Sequence, residues 1–212
     1  IEEMQEPHYM IKEIKEQSSF IAEGTYFECP PPKRLNLIGC GSSYYAAMWA
    51  KIWFEQIAKI PTIVTHGSEA VYNLQDPSVT NIYISQSGET KDIIHATNSS
   101  ISNKDYVITN NINSYLGNSD LNTVNIKADP EYGVAATKTF TLTCWRLWEM
   151  AYHWRSRPSL TKEDVDFYEC MSGLIDGIDY VVNDEPLIKS LSENFSKYEN
   201  ILFLGRHYDY PI

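Results

Sequence analysis

The chain has 212 residues, a formal net charge of −11 at pH 7 and a sequence that is 43% apolar. Its length is enough for one domain with a full core but tight for two. The negative charge argues against nucleic acid as a partner, because nucleic-acid binding relies on clustered Lys and Arg. No uncharged apolar run approaches the roughly 20 residues that span a bilayer, which argues against a membrane protein.

The first part of the chain predicts an arm outside the sheet. Residues 1–4 lack the basic and then apolar pattern of a signal peptide, so we expect a cytoplasmic protein. Residues 4–27 show helical spacing followed by an irregular stretch. The three prolines at residues 30–32 exclude regular structure, so residues 1–33 are predicted to form a helical arm that packs on the domain.

Short apolar runs and helical periodicity then alternate along the chain. The apolar runs predict five strands, at residues 34–38, 62–65, 81–84, 106–109 and 121–126. The periodic segments predict helices at residues 44–57, after His66, at 89–100 and at 137–154. This alternation predicts an α/β fold in which a five-stranded parallel sheet carries helices on both faces.

The remaining chain continues the helical pattern. A capping box at residues 161–164 precedes helical spacing over residues 165–182, and a further helix is expected over residues 185–196. Residues 201–204 predict the start of another strand. The helix at residues 137–154 is apolar on nearly all sides, which indicates burial on two sides and hints at contact with a second domain or a second copy.

The run Ser-Gln-Ser-Gly-Glu-Thr at residues 85–90 closes the third predicted strand and opens a helix. The first amides of a helix have no partner within it, so they favour an anion at this point. Three hydroxyls and one amide side chain lie within these six residues, enough donors for the terminal oxygens of a phosphate monoester. Gly88 permits a sharp turn. Ordinary turn and capping residues are the alternative interpretation.

The order of these residues adds a resemblance. Residues 85–90 resemble the signature loop of sugar isomerase (SIS) domains, and residues 37–44 look like the Gly-Cys-Gly-Thr-Ser-Tyr loop of the same family. Residues 131–138 are similar to its Glu-Ile-Gly-Val-Ala-Ser-Thr-Lys segment. With residues 10–17 and 204–212, they resemble the isomerase region of the glutamine:fructose-6-phosphate amidotransferases.

The resemblance implies a SIS-type, flavodoxin-like three-layer α/β/α fold, with a first SIS domain at residues 34–198. Residues 199–212 would begin a truncated second SIS domain. The resemblance implies a phosphate site formed by six side chains, those of Ser42, Ser43, Ser85, Gln86, Ser87 and Thr90. The sugar would lie against Val134 and Ala136. Ala136 stands where the family usually has Ser, a loss of one hydrogen bond worth about 1 kcal/mol.

The same resemblance implies that no catalytic residue lies in this chain. In the family, the base, the ring-opening histidine and the reactive lysine lie in the second SIS domain or the tail. The intact enzymes make glucosamine 6-phosphate and glutamate from fructose 6-phosphate and glutamine, with a glutaminase domain, as homodimers. The chain is therefore expected to be an inactive fragment. Glu89 is interpreted as a first-turn helix residue and Glu131 as loop scaffolding.

We expect no cofactor and no metal. The sequence lacks the nucleotide P-loop pattern, and Tyr44 stands where a dinucleotide turn beginning at Gly39 would need its third glycine. The five histidines are far apart in sequence, and the four cysteines form no C-x-x-C pair, so we interpret the cysteines as reduced thiols.

Two alternatives remain open at this stage. The same loops would serve a non-catalytic sugar-phosphate sensor of a regulator. A stand-alone phosphosugar isomerase would need an acid and a base within these residues, and none is convincingly placed.

Overall fold

The computed structural model describes residues 8–21, 30–73, 76–102, 104–155 and 162–210, with the backbone alone for residues 162–168 and 170. These residues form a five-stranded parallel sheet with helices on both faces. This confirms the predicted fold class. The predicted arm falls partly on residues 1–7 and 22–29, and the capping box partly on residue 161, which lie outside the described residues.

The five strands follow the apolar runs of the sequence closely. They are β1 (Leu35–Gly39), β2 (Thr62–His66), β3 (Thr80–Ile84), β4 (Tyr106–Thr109) and β5 (Asn122–Asn125). All neighbours pair in parallel, in the order β2-β1-β3-β4-β5. Strands 1, 3 and 4 are nearly continuous apolar runs because helices cover both of their faces.

Seven helices are described, and most differ from the predicted bounds by a few residues. They are α1 (Tyr9–Lys15), α2 (Ser42–Trp53), α3 (Gly67–Ala70), α4 (Lys91–Asn98), α5 (Lys138–His153), α6 (Lys162–Asn183) and α7 (Glu185–Phe195). A 3₁₀ turn follows α1, and a π-helical turn extends α2 to Ala58. The predicted start of α2 at residue 44 is two residues late, because Ser42 and Ser43 form its first turn.

Alternating side chains of the strands supply two hydrophobic cores. Leu37 and Ile82 lie in the larger core, beneath α2 and α5, whereas Ile38 and Tyr83 lie in the smaller core with residues of α3 and α4. Neighbours in sequence point to opposite faces because strand side chains alternate with a period of two. Each layer of helices is therefore fixed by one half of the strand residues.

The apolar helix α5 is covered by this chain itself. Leu142, Trp145, Leu147 and Met150 are at most 4% exposed, and α2, the arm and α6 pack around the same core. The all-round apolar sequence thus reflects the central place of α5 between several elements. Its burial gives no sign of the second copy that the sequence hinted at.

The strand order has a consequence for ligand binding. β1 lies between β2 and β3 in the sheet. The loop after β1 therefore leads to one face of the sheet and the loop after β3 to the other, which places the topological switch point between β1 and β3. Ligands of open α/β sheets bind beyond the carboxyl ends of the strands at that point. Gly39 pairs with Ile84 in the ladder, so the loops that follow β1 and β3 begin level with each other.

The last described segment lies apart from the sheet. Residues 201–206 form no strand, contrary to the prediction, because no neighbouring strand among the described residues offers them a ladder. Tyr208 returns to stack on Trp53 at a ring distance of 5.0 Å. The apolar side chains of α7 are about half exposed, namely Leu187, Ile188, Leu191 and Phe195. None of the described helices is both long and apolar enough to cross a membrane.

Candidate functional site

Two loops meet at the switch point. The first, residues 40–43, runs from β1 into α2, and the second, residues 85–90, runs from β3 into α4. Because the two strands pair and end level, the N-termini of α2 and α4 lie at the same edge of the sheet. Both helix ends direct amide N–H groups towards this edge.

The second loop is built around the buried Ser85. Its side chain is 2% exposed, its hydroxyl lies 2.9 Å from that of Thr90, and it accepts the Gly88 N–H at 3.1 Å. Gln86 and Ser87 are exposed and Thr90 is half-buried. The structure therefore separates the predicted phosphate ligands of this loop into Ser85, which shapes the loop, and Gln86, Ser87 and Thr90, which are less buried.

The N-terminus of α4 has amide groups that could bind a ligand. Its first internal hydrogen bond runs from Ile94 N–H to the Thr90 carbonyl at 2.9 Å, so the amides of Lys91, Asp92 and Ile93 have no partner in the helix. Thr90, the N-cap residue, makes no capping bond with its side chain. An anion at this point would receive amide and hydroxyl donors.

The first loop adds the start of α2. Ser42 is exposed and Ser43 is half-buried, in the first turn of the helix. The neighbouring Cys40 is half-buried, and burial raises the pKa of its thiol although the N–H groups of Gly67 and Ser68 point at the sulfur. Burial thus favours the protonated form of the thiol.

Residues 110–119, which the sequence indicated only as a surface loop, hold the second loop in place. The Asn110 N–H donates to the Gln86 carbonyl at 3.0 Å, and the Leu116 N–H donates to the Gly88 carbonyl at 3.1 Å. Gly88 has φ 70°. A Cβ at Gly88 would lie 1.8 Å from Ser114 Oγ. A glycine is therefore required both by the backbone and by the space.

Glu89 joins the same contact and lies outside the helix. Its Oε1 accepts the Tyr115 N–H at 2.8 Å, whereas α4 begins two residues later. The interpretation of Glu89 as a first-turn residue is therefore wrong, because its carboxylate binds a backbone amide of another loop. The sequence carries no signal for this pairing, because Glu89 and Tyr115 are 26 residues apart.

The third loop, residues 131–137, leads into α5. Glu131 accepts the Thr137 N–H at 2.9 Å and its hydroxyl at 2.8 Å. It also accepts the Thr139 hydroxyl at 2.5 Å. Burial acts to raise the pKa of Glu131, but the hydrogen bonds from Thr139 and Thr137 outweigh it and hold the pKa below its ordinary value. Val134 and Ala136 are exposed.

The arrangement supplies donors for an anion and no free acid or base in its matched loops. Both carboxylates of these loops, Glu89 and Glu131, already accept backbone and hydroxyl donors. No group of three His, Cys, Asp or Glu side chains suited to a metal occurs in the part of the chain that the structure describes.

Comparison with known proteins identifies the family of this chain. The family model for the SIS domain matches residues 31–152, a range that contains all five strands and all three loops. The glutamine–fructose-6-phosphate aminotransferase (isomerizing) of Neisseria meningitidis is 33% identical over 97% of this chain, and that of Aquifex aeolicus is 31% identical over the same share. The chain spans only 37% and 36% of the length of these two relatives.

Solved structures show the same relationship. The C-terminal domain of glucosamine-fructose-6-phosphate aminotransferase from Francisella tularensis is 32% identical, with a TM-score of 0.85, over 98% of this chain and 64% of that one. A phosphosugar isomerase structure from Silicibacter pomeroyi, at 19% identity and a TM-score of 0.64, shares the fold. The family match over more than half of its residues shows that this chain belongs to the SIS domain family.

Proposed function

We propose that this chain binds a hexose 6-phosphate at the carboxyl ends of β1 and β3. It does so as the first SIS half of the isomerase region of a glutamine–fructose-6-phosphate aminotransferase. The observation that carries the proposal is the open N-terminus of α4, with the exposed Ser87 and the half-buried Thr90 beside the first turn of α2. Neutral donors aimed at one point suit a dianionic phosphate.

The phosphate ligands in this proposal are Ser42, Ser43, Gln86, Ser87 and Thr90, with Ser85 holding the loop in shape from beneath. The sugar extends towards Val134 and Ala136, which are exposed on the third loop. The relatives and the 32% identical structure, whose names include fructose 6-phosphate, support this choice over a simple inorganic anion. Ala136 lacks the hydroxyl that the family usually places there, so the sugar is held mainly by the backbone.

The reaction belongs to the intact protein in this proposal. That protein would convert fructose 6-phosphate and glutamine into glucosamine 6-phosphate and glutamate, with a glutaminase domain, a second SIS domain that residues 199–212 begin, and a homodimeric assembly. The exposed apolar side chains of α7 are consistent with such a further domain. This chain alone would bind without turnover, because Glu89 and Glu131 are both occupied.

The test is a calorimetric titration of the 212-residue chain with fructose 6-phosphate and with glucosamine 6-phosphate. Unphosphorylated fructose serves as the matched control. We expect saturable binding of the two phosphates and at least a hundredfold weaker binding of fructose, because the phosphate receives most of the donors. Equal affinity for fructose and fructose 6-phosphate would contradict the proposal.

A sugar-phosphate sensor is the second candidate. The observation in its favour is that both carboxylates of the matched loops are engaged by other donors, which leaves binding as the only chemistry of these loops. The two candidates differ in the rest of the gene. A reading frame that continues after residue 212 into a second SIS domain supports the aminotransferase, and an upstream helix-turn-helix supports the sensor.

A further inference from the structure

A buried carboxylate from the N-terminal arm lies directly against the third loop. Glu13, on α1, is 2% exposed. Its Oε1 accepts the N–H groups of Tyr132 and Gly133, and its Oε2 accepts the Gly133 N–H at 3.0 Å. These contacts join residues that are 119 and 120 positions apart in the sequence. One side chain thus fixes two successive peptide units of the loop.

The absence of a side chain at Gly133 makes this contact possible. A Cβ at this position would lie 2.4 Å from Glu13 Oε2 and 3.1 Å from Met10 Sδ. The carboxylate and a side chain at residue 133 therefore cannot occupy the same space. The rings of Tyr9 and Tyr132 meet on the same surface, with centroids 5.3 Å apart.

The rest of the contact between arm and loop is polar and open. Lys138 is 2% exposed, and its ammonium group lies 2.7 Å from Glu16 Oε2. Lys12 lies 3.7 Å from the other oxygen of Glu16. A cavity of about 180 Å³ remains between the arm and the loop, lined by Glu13, Glu16, Lys138 and their neighbours. The hydrogen bonds of Glu13 are the polar contacts that hold residues 132 and 133 to the arm.

The peptide units that Glu13 holds come immediately before Val134. The following residues, Val134 to Ala136, are exposed, so little else orients their backbone. Hydrogen bonds from backbone amides to a buried carboxylate are strong and directional, and an amide left without its acceptor is costly. The carboxylate therefore sets the direction in which the chain enters the exposed part of the loop.

We propose that Glu13 is a positioning residue for the sugar-contacting loop of the phosphosugar site, an inference that rests on the proposed function. The arm holds the backbone of residues 132–134 where the sugar end of the ligand lies. The phosphate end, at residues 42–43 and 85–90, makes no hydrogen bond to the arm among the described residues. Loss of the Glu13 contact thus weakens the hold on the sugar and leaves the hold on the phosphate unchanged.

The test compares the unmodified 212-residue chain with Glu13→Gln, which keeps the size of the side chain but replaces one acceptor oxygen with a donor. Both proteins are titrated with fructose 6-phosphate and with inorganic phosphate, while the backbone amides are followed by NMR. We expect affinity for fructose 6-phosphate to fall about 5- to 20-fold, the range for one or two strong hydrogen bonds. Affinity for inorganic phosphate stays within about twofold. The amide signals of Tyr132 and Gly133 shift in the free protein.

Two further variants make the result decisive. Glu193→Gln makes the same chemical change at an exposed position on α7 and should leave both affinities unchanged. Gly133→Ala disturbs the same contact from the other side, so it reports on the inference even if Glu13→Gln fails to fold. Its affinity for fructose 6-phosphate should fall while that for inorganic phosphate is retained.

The outcomes separate this inference from the proposed function. If the unmodified chain binds fructose 6-phosphate and both Glu13→Gln and Gly133→Ala bind it equally well, the positioning role of Glu13 is overturned while the proposed function stands. An equal loss for fructose 6-phosphate and inorganic phosphate also overturns it, since that indicates a general structural role. If the unmodified chain does not bind fructose 6-phosphate at all, the proposed function is overturned and this inference with it.

Discussion

The N-termini of α4 and α5 both follow loops that the sequence marks as ligand-binding, yet the structure equips them differently. At α5, the carboxylate of Glu131 accepts the N–H and hydroxyl groups of Thr137 and Thr139. At α4, the amides of Lys91 and Asp92 meet no such acid. One helix end already holds an anion that belongs to the protein, whereas the other remains available.

The difference shows how two similar helix ends come to have separate roles. A helix terminus that is satisfied by its own carboxylate gains stability, because the cap offsets the partial positive charge there. A terminus without a cap gives up that stability and gains the capacity to bind an external anion. The phosphate should therefore bind at α4, and the loop before α5 should contact the neutral part of the ligand.

The largest effect is expected from Gly88→Ala. The new Cβ would lie 1.8 Å from Ser114 Oγ at a residue with φ 70°, so the loop must rearrange, with strain of about 1–3 kcal/mol for the backbone alone. We expect binding of fructose 6-phosphate to fall more than a hundredfold. Gly173→Ala is the control, since a Cβ there has nothing within 4 Å. Unchanged binding by Gly88→Ala would move the site away from α4.

The next effect is expected from Ser87→Ala combined with Thr90→Ala. Each hydroxyl that donates to a phosphate contributes about 1.5–3 kcal/mol, or roughly tenfold or more in affinity. Calorimetry should show at least a hundredfold loss for the double variant, and some thermal stability is lost as well because the Thr90 hydroxyl lies 2.9 Å from that of Ser85. Thr97→Ala, further along α4, removes a hydroxyl that bonds only within the helix. A similar loss in Thr97→Ala would attribute the effect to the helix and not to the ligand.

A smaller effect, on stability, is expected from Glu131→Gln. Loss of the charged cap should cost about 0.5–2 kcal/mol at pH 7, measured by urea unfolding. The folded pKa of Glu131 is lowered, so its contribution is complete above the ordinary pKa of a glutamate and is lost as the pH falls through the folded value. When the pH is lowered from about 5, the free energy of unfolding should therefore fall less in the variant than in the unmodified chain. If the free energies of unfolding of the two proteins changed in parallel with pH, the charge of Glu131 would not stabilise the N-terminus of α5.

The smallest effect is expected from Ala136→Ser, which adds the hydroxyl that the family usually has. One further hydrogen bond to the sugar is worth about 1 kcal/mol, or roughly fivefold tighter binding of fructose 6-phosphate. Affinity for inorganic phosphate should not change, because the residue lies on the loop before α5. Tighter binding of inorganic phosphate would place Ala136 at the phosphate end and contradict the division between the two loops.

The sequence predicted most of the fold because the signals for it are local. Apolar runs such as residues 106–109 give the strands directly, and the parallel pairing follows from the alternation of strands with helices, whereas the strand order came from the structure. Residues 201–204 carry the same type of signal but form no strand among the described residues. A strand needs a hydrogen-bonded neighbour, which the composition of a segment cannot supply.

The contacts that build the candidate site were not predicted from the sequence. The residue order of residues 85–90 carried a resemblance, whereas the contacts that shape this loop come from residues 110–119, whose polar sequence indicated only a surface loop. Glu13 was missed for a similar reason. Its partners lie about 120 residues away, and the resemblance of residues 10–17 does not indicate which of these side chains is buried against another loop.

The open end of α4 also determines how the ligand approaches. Its donors are amides and hydroxyls, whose attraction is short-ranged, while the whole chain carries a net charge of −11 that repels a phosphate dianion at longer distance. Added salt screens that repulsion over about 10 Å at 0.1 M. Association with a phosphosugar should therefore become faster as ionic strength rises, the reverse of the behaviour of a pocket built from lysine and arginine.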